Sequence, residues 1–133
     1  MDEVIQRLLA LGVKIVTPRQ ADDISRFSSK LRPGASGLAA FLAENPRGFV
    51  QLQDPDLTPL DQWFTEATVH FVCIHSDESE AYRLADLAAE AMTGDPLDPT
   101  FRPAGREVML DTLGTGIRLS YLTLYPLEVP TWQ

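Results

Sequence analysis

Residues 65–92 read TEATVHFVCIHSDESEAYRLADLAAEAM and join two strong local signals, one for a buried strand and one for a helix. Its first part is rich in β-branched and aromatic residues, and apolar residues occupy successive positions just before His75. A continuous apolar run of this kind is typical of a strand whose two faces are both covered. We therefore predict a central strand over residues 62–75.

The second part of this stretch predicts a helix that packs on the sheet. Ser76 or Asp77 is the expected N-cap, and Asp77 with Glu80 fits a capping pattern. Small and apolar residues then recur at helical spacing and form one stripe: Ala81, Leu84, Ala85, Ala88, Ala91 and Met92. Alanines in such a stripe allow a helix to lie close to a sheet. Gly94 and Pro96 predict its end.

Upstream of the central strand, the pattern predicts two further helices and two strands. The segments are a helix from an Asp2 cap to Gly12, a strand at 13–17, a helix at 37–44 capped by Ser36, and a strand at 48–53. Residues 18–35 are polar and predict a long loop after the first strand. The cluster DPDLTP at 54–59 predicts a turn.

Downstream of the helix, the sequence predicts a closing hairpin. A proline-rich connector at 95–105 leads to strands at 106–113 and 117–125, and residues 126–133 form a C-terminal extension. The whole pattern is that of the α+β class. We expect a single domain over residues 1–133, with a mixed or antiparallel sheet of about four to five strands and two to three helices packed on it.

The charge of the chain is unevenly distributed. The 133 residues carry 19 acidic and 11 basic side chains, a net charge of −8. Eleven acids and only one base, Arg83, fall between Asp54 and Asp98, whereas five bases fall between Arg19 and Arg47. A strongly acidic chain is poorly suited to nonspecific nucleic-acid binding or to anionic membranes. Because no apolar run approaches about 18 residues, we expect no membrane span.

Three side chains on the central strand are the obvious candidates for chemistry. His70 is expected on one face of the strand, and Cys73 and His75 on the other. Neighbours of this kind on one strand face are roughly 6–7 Å apart, too far for direct proton transfer, and they lack the four-ligand spacing of structural zinc. We therefore predict a buried cysteine, no catalytic residue, no metal and no cofactor. The single cysteine excludes an internal disulfide and favours a reducing compartment.

The same stretch carries a resemblance to a known family. The chain resembles the tail terminator, or tail completion, proteins of long-tailed bacteriophages. The resemblance is carried by residues 65–92, in which the helix begins SDESEAYRLA (76–85), by the connector that follows and by the closing strand GIRLSYLTLY (116–125). The opening LLALGVKIVT, the polar loop and the strand GFVQLQ also fit that pattern. The resemblance covers most of the chain in order and type of element.

This resemblance implies a structural protein of the virion. Members of the family form a hexameric ring that caps the tail tube, ends its polymerisation and joins the tail to the head. The implied partners are copies of the chain itself, the tail tube protein and a head–tail connector or neck protein. The resemblance also implies that DNA passes through the ring without sequence-specific binding and that the protein has no enzymatic activity. The ring is expected to assemble in the host cytoplasm and to lie at the head-proximal end of a siphophage tail.

A ring of identical subunits joins two unlike surfaces of each copy, and an uneven charge distribution supplies such surfaces. The candidate subunit or tube contacts are the bases of the polar loop and an aromatic residue of the extension: Arg19, Arg26, Lys30, Arg32 and Trp132. Tryptophan is enriched at interfaces.

Three other interpretations remain open at this point. One is another head–tail or neck completion protein, which belongs to the same structural class. Another is a small acidic immunity or binding protein that neutralises a basic partner. A small enzyme that uses His70 or His75 is the third. The mass of the particle in solution separates the ring-forming structural proteins from an immunity protein or an enzyme.

Overall fold

The computed structural model describes residues 2–20, 37–60, 64–94, 100–111 and 114–126. The elements in chain order are α1 (Asp2–Leu8), a 3-10 turn (Leu9–Leu11), β1 (Lys14–Val16), α2 (Gly37–Glu44), β2 (Phe49–Leu52), β3 (Asp56–Pro59), β4 (Phe64–His75), α3 (Glu78–Thr93), β5 (Arg102–Asp111) and β6 (Gly114–Pro126). Within these residues, no helix is long and apolar enough to cross a membrane.

All the strands belong to one mixed sheet with the order β1-β2-β4-β6-β5. Only β1 and β2 run parallel, and the other pairs are antiparallel. The α+β class is therefore confirmed. The sheet has six strands, whereas the sequence predicted about four to five.

Strand β4 organises this sheet. All twelve of its residues pair with β6, from Phe64 opposite Pro126 to His75 opposite Thr115. Its other edge is shared, because β2 pairs with residues 71–74 and β3 with residues 65–68. Between β2 and β3, the three linking residues 53–55 lie opposite only two residues of β4, Val69 and His70, so the pairing register changes there.

The extra strand is β3, in a segment that the sequence predicted as a turn. Its two prolines and two aspartates are typical turn residues, but β2 leaves the first half of β4 unpaired on this edge. Pairing there satisfies the backbone groups of residues 56–59 that face β4. Pro59 is tolerated because β3 is an edge strand. Strand β5 also begins four residues earlier than predicted, since β6 is long enough to pair with Arg102.

The main core lies between one face of the sheet and the helices α1 and α3. It includes Phe71 and Tyr121, whose rings stack with their centroids 5.9 Å apart. The stripe predicted for α3 forms, and its fully buried members are Ala81, Ala85, Ala88 and Met92. Alanines at this face bring the helix close to β4 and β6.

A smaller cluster lies on the opposite face of the sheet. Here α2 packs on the β1–β2 end, where Val16, Leu42 and Phe49 are buried and Phe41 meets Phe49 edge to face at 4.7 Å. The central strand is thus covered on both faces near its C-terminal end, as the sequence predicted.

An arginine joins α1 to the far end of α3. The Arg7 guanidinium donates a hydrogen bond to the main-chain carbonyl of Met92 and lies 4.9 Å from the centroid of the Phe101 ring. A cation at the C-terminal end of a helix offsets the partial negative charge of its carbonyls. The same residue therefore holds α1, α3 and the start of β5 together.

Two local predictions for α3 need correction. Asp77 is the N-cap residue, but its side chain makes no capping hydrogen bond, and the predicted pairing with Glu80 is absent. The Asp77 N–H donates instead to the imidazole of His75. At the other end, Gly94 has right-handed backbone angles, so it does not form the left-handed glycine cap seen at Gly12.

Two predicted segments fall mainly outside the described residues. Of the polar loop predicted at 18–35, only residues 18–20 are described, and they are helical. The C-terminal extension begins where β6 ends at Pro126, and residues 127–133 lie outside the description.

The core assignment predicts the cost of truncating a central side chain. We expect Phe71→Ala to lower the free energy of unfolding by about 3–5 kcal/mol, because it removes a fully buried ring and leaves a cavity. Leu124→Ala on β6 is the control, since that side chain is 53% exposed and its loss should change stability by about 0.5 kcal/mol or less. Denaturant unfolding measures both, and equal effects would contradict the core assignment.

Candidate functional site

The three candidate side chains of β4 divide between the faces of the sheet as predicted. Cys73 lies in the main core under α1 and α3, and His70 lies on the opposite face beside β6. All three of His70, Cys73 and His75 are buried. Across the described part of the chain, no group of three or more His, Cys, Asp or Glu residues is placed to hold a metal ion.

The Cys73 thiol is held in its neutral form. Burial in the core raises its pKa to about 12, and the nearby positive charge of Arg106 opposes this only in part. Because the thiolate is the nucleophilic form, a thiol of this kind is inert at neutral pH. The prediction of a buried cysteine is confirmed.

This burial predicts a pH dependence. We expect Cys73 in the folded protein to resist a thiol reagent such as DTNB at pH 8, and to react at once in denaturant. Because folding raises the pKa above its ordinary value of 9.0, the stabilising contribution of the neutral thiol is complete below pH 9 and is lost between pH 9 and about 12. Labelling of native and unfolded protein at equal rates would contradict this placement.

His70 is the centre of a hydrogen-bonded chain that sequence reasoning missed. Its Nδ1 lies 2.7 Å from the hydroxyl of Ser120 on β6, and its Nε2 lies 2.9 Å from a carboxylate oxygen of Asp56 on β3. Ser120 is opposite His70 in the ladder. The pairing of β4 with β6 brings His70 next to Ser120, although the two residues are 50 positions apart in the chain. No local sequence pattern reveals which residues of the two strands lie opposite each other.

A serine, a histidine and an aspartate in this order invite comparison with a hydrolytic triad. In such a triad the serine bonds to Nε2 and a buried aspartate to Nδ1. Here the two ring nitrogens have exchanged partners, and the Asp56 side chain is 78% exposed. The arrangement is better described as a structural link between strands, because it connects β3 to β4 and β6 and holds the Asp56 carboxylate at the edge of the sheet. We call these hydrogen-bonded side chains of Asp56, His70 and Ser120 the brace.

A groove of about 430 Å³ opens at the C-terminal end of β4. Apolar side chains from the segment before β1 and from α3 line it, namely Leu11, Val13, Leu84 and Leu87. Polar and charged groups also line it: His75, Arg47, Glu80 and Arg83. His75 accepts a hydrogen bond at Nδ1, which leaves Nε2 as the donor of the neutral ring. We call this cavity the basic groove.

Gly48 sets one wall of the basic groove. Its φ is +83°, and a Cβ placed there would lie 2.5 Å from the carbonyl oxygen of Ile74 and 3.0 Å from the His75 ring. Only glycine permits this close approach of the two chains. The turn before Gly48, closed by a bond from its N–H to the Asn45 carbonyl, presents Arg47 to the groove.

Gly12 offers a matched control for Gly48. Both have positive φ, but a Cβ at Gly12 meets nothing within 4 Å. We expect Gly12→Ala to cost about 1–2 kcal/mol from the left-handed backbone alone, and Gly48→Ala to cost about 1–3 kcal/mol more because of the clash. Thermal or denaturant unfolding of the two variants measures the difference, and equal losses would show that the chains do not meet as described.

The opposite end of β4 carries a surface of different character. The β3 residues Asp56 to Pro59 are all exposed, with Leu57 48% exposed, and the following Leu60 is 54% exposed. Asp54 precedes the strand and is also exposed. We call Asp54, Asp56, Leu57 and Leu60 the acidic edge. Asp56 lies opposite Thr68 and Leu57 opposite Ala67, seven and eight residues before His75, so these two residues lie about 23 and 26 Å from His75 along the strand.

The contact residues predicted from the sequence are only partly described. Arg19 is exposed at the end of the first described segment, whereas Arg26, Lys30, Arg32 and Trp132 lie outside the described residues. The prediction missed Arg47 and Arg83 at the basic groove. One signal was present in the sequence, because Arg83 is the only base among eleven acids from Asp54 to Asp98.

Comparison with known proteins adds no family assignment. The chain matches no protein-family model and none of the curated proteins.

Proposed function

We propose that this chain is a structural protein of a phage tail or tail-like particle, which assembles with copies of itself into a hexameric ring that caps the tail tube. The ring ends polymerisation of the tube and presents its outer surface to a head–tail connector or neck protein. DNA passes through its lumen. The proposal combines the sequence resemblance with the surfaces of the fold.

The order of elements supports the first part of the proposal. A helix and a strand are followed by a long segment, a second helix, an antiparallel strand pair, a helix starting at Glu78 and a closing hairpin. Apart from the second helix, this is the order that the tail terminator resemblance implies. Strand β3 is an addition within the strand pair and leaves the order otherwise unchanged.

One observation carries the ring proposal, namely that the two ends of β4 bear unlike surfaces. The basic groove lies at one end and the acidic edge at the other. When a contact between two unlike surfaces joins copies head to tail, a series of such contacts closes into a ring if the rotation between copies allows it, whereas a two-fold dimer would have to form the same contact twice, reciprocally.

The test is assembly with the tail tube protein encoded by the same genome. We expect particles near six times the 14.7 kDa mass of the chain, measured by light scattering or native mass spectrometry, and ring density at tube ends by electron microscopy. Added chain should also shorten the tubes. Tubes that grow to unchanged length with bare ends would overturn the proposal.

The same experiment separates the alternatives. A neck completion protein would bind the connector and leave tube length unchanged. A monomer at all concentrations that neither binds tubes nor joins purified particles, but binds one basic protein, would support the immunity or binding interpretation.

A further inference from the structure

We infer that the basic groove of one copy receives the acidic edge of the next copy, and that this contact closes the ring. The inference rests on the proposed function, since it names the two surfaces through which the copies meet. It goes further by assigning the occupant of the groove and the residues on both sides.

The composition of the groove identifies the class of its occupant. Arg47, Arg83 and the Nε2–H of His75 are donors suited to carboxylates and outnumber the one acidic side chain of the groove, Glu80. Leucine and valine side chains also line the groove. Neither Arg47 nor Arg83 forms an ion pair with another described residue. An occupant must therefore offer a carboxylate beside an apolar side chain.

The acidic edge offers both kinds of group. Asp54 and Asp56 flank Pro55, and two exposed leucines follow, Leu57 and Leu60. Because Asp56 and Leu57 are successive residues of β3, the carboxylate and the leucine project from the two faces of this edge strand. The brace through His70 holds the Asp56 carboxylate in place, so its position is already set before a partner arrives. Leu87, 46% exposed in the groove, is an apolar counterpart for a leucine of the edge.

The position of the two surfaces excludes contact within one copy. Asp56 is paired opposite Thr68, about 23 Å along β4 from His75 at the groove, and a paired strand cannot fold back on itself. The groove of each copy therefore meets the edge of another copy, and in the head-to-tail arrangement of the proposed ring each copy contacts one neighbour through its groove and the other through its edge. The attraction is between opposite charges in a chain whose net charge of −8 would otherwise keep the copies apart.

Charge reversal tests the contact from both sides. We expect Arg83→Glu to raise the concentration needed for ring assembly at least about tenfold, and Asp54→Arg to do the same, because each places like charges across the interface. Both side chains are exposed, so the fold should be retained, which circular dichroism and the unfolding midpoint verify. Asp56 is left intact in these variants since it bonds to His70.

The decisive sample is an equimolar mixture of the two variants. In an alternating ring, the reversed groove of Arg83→Glu meets the reversed edge of Asp54→Arg, and the two unaltered surfaces meet each other. We expect the mixture to assemble near the wild-type concentration, with three copies of each variant per hexamer by native mass spectrometry. The double variant should also assemble alone.

Reversals elsewhere serve as controls. Arg102→Glu on β5 and Glu90→Arg on α3 change the same charges at exposed positions outside both surfaces, so they should assemble as the wild type does. Single variants of Arg83 and Asp54 that assemble normally would overturn the contact and leave the ring proposal standing. Loss in both without recovery in the mixture would overturn the pairing of the two surfaces. A wild-type chain that forms no ring on tubes would overturn the proposed function and this inference together.

Discussion

The structure depends on the pairing of β4 with β6 along twelve residues. This ladder sets which side chains of β4 face the helices and which face away, because side chains alternate along a strand. It places Cys73 and Phe71 under α3, and it brings His70 opposite Ser120. The other edge of β4 is long enough to hold two short strands in succession, so that β3 becomes part of the sheet. A shift of one residue in the ladder would move the core side chains to the opposite face.

The length of β4 also separates the two surfaces on which the functional proposal is based. A shorter central strand would leave no room for β3 beside it, and the acidic edge would be a loop. In this fold the edge is fastened to the sheet at Asp56, while the basic groove forms where β4 ends and α3 begins. Gly48 allows the start of β2 to approach His75 closely enough to form the wall of the groove. The architecture thus provides two rigid and unlike ends.

The sequence predicted most of the elements because their signals are local. The apolar run up to His75 and the alanine stripe of α3 specify a buried strand and its packed helix, and the bounds of α2 agree with the prediction. The predictions are wrong where pairing with a segment distant in sequence outweighs the local conformational preference of the residues. Turn residues at 54–59 adopt a strand because β4 offers a free edge, and the N-cap of α3 forms without a side-chain bond because its N–H bonds to His75. The brace of Asp56, His70 and Ser120 and the basic groove join segments far apart in sequence, so no local pattern reveals them. Among the residues of the groove, Arg83 could have been singled out from the sequence, because it is the only base in a long acidic segment.

In the proposed ring, the surfaces at the two ends of β4 join successive copies around a closed circle. An electron cryomicroscopy map of the assembled protein on its tube tests this most directly, because it shows which surfaces of neighbouring copies touch. We expect Arg47 and Arg83 of each copy to face Asp54 and Leu57 of the next. A two-fold dimer that joins identical ends, or a ring in which the groove of every copy remains open to solvent, would contradict it.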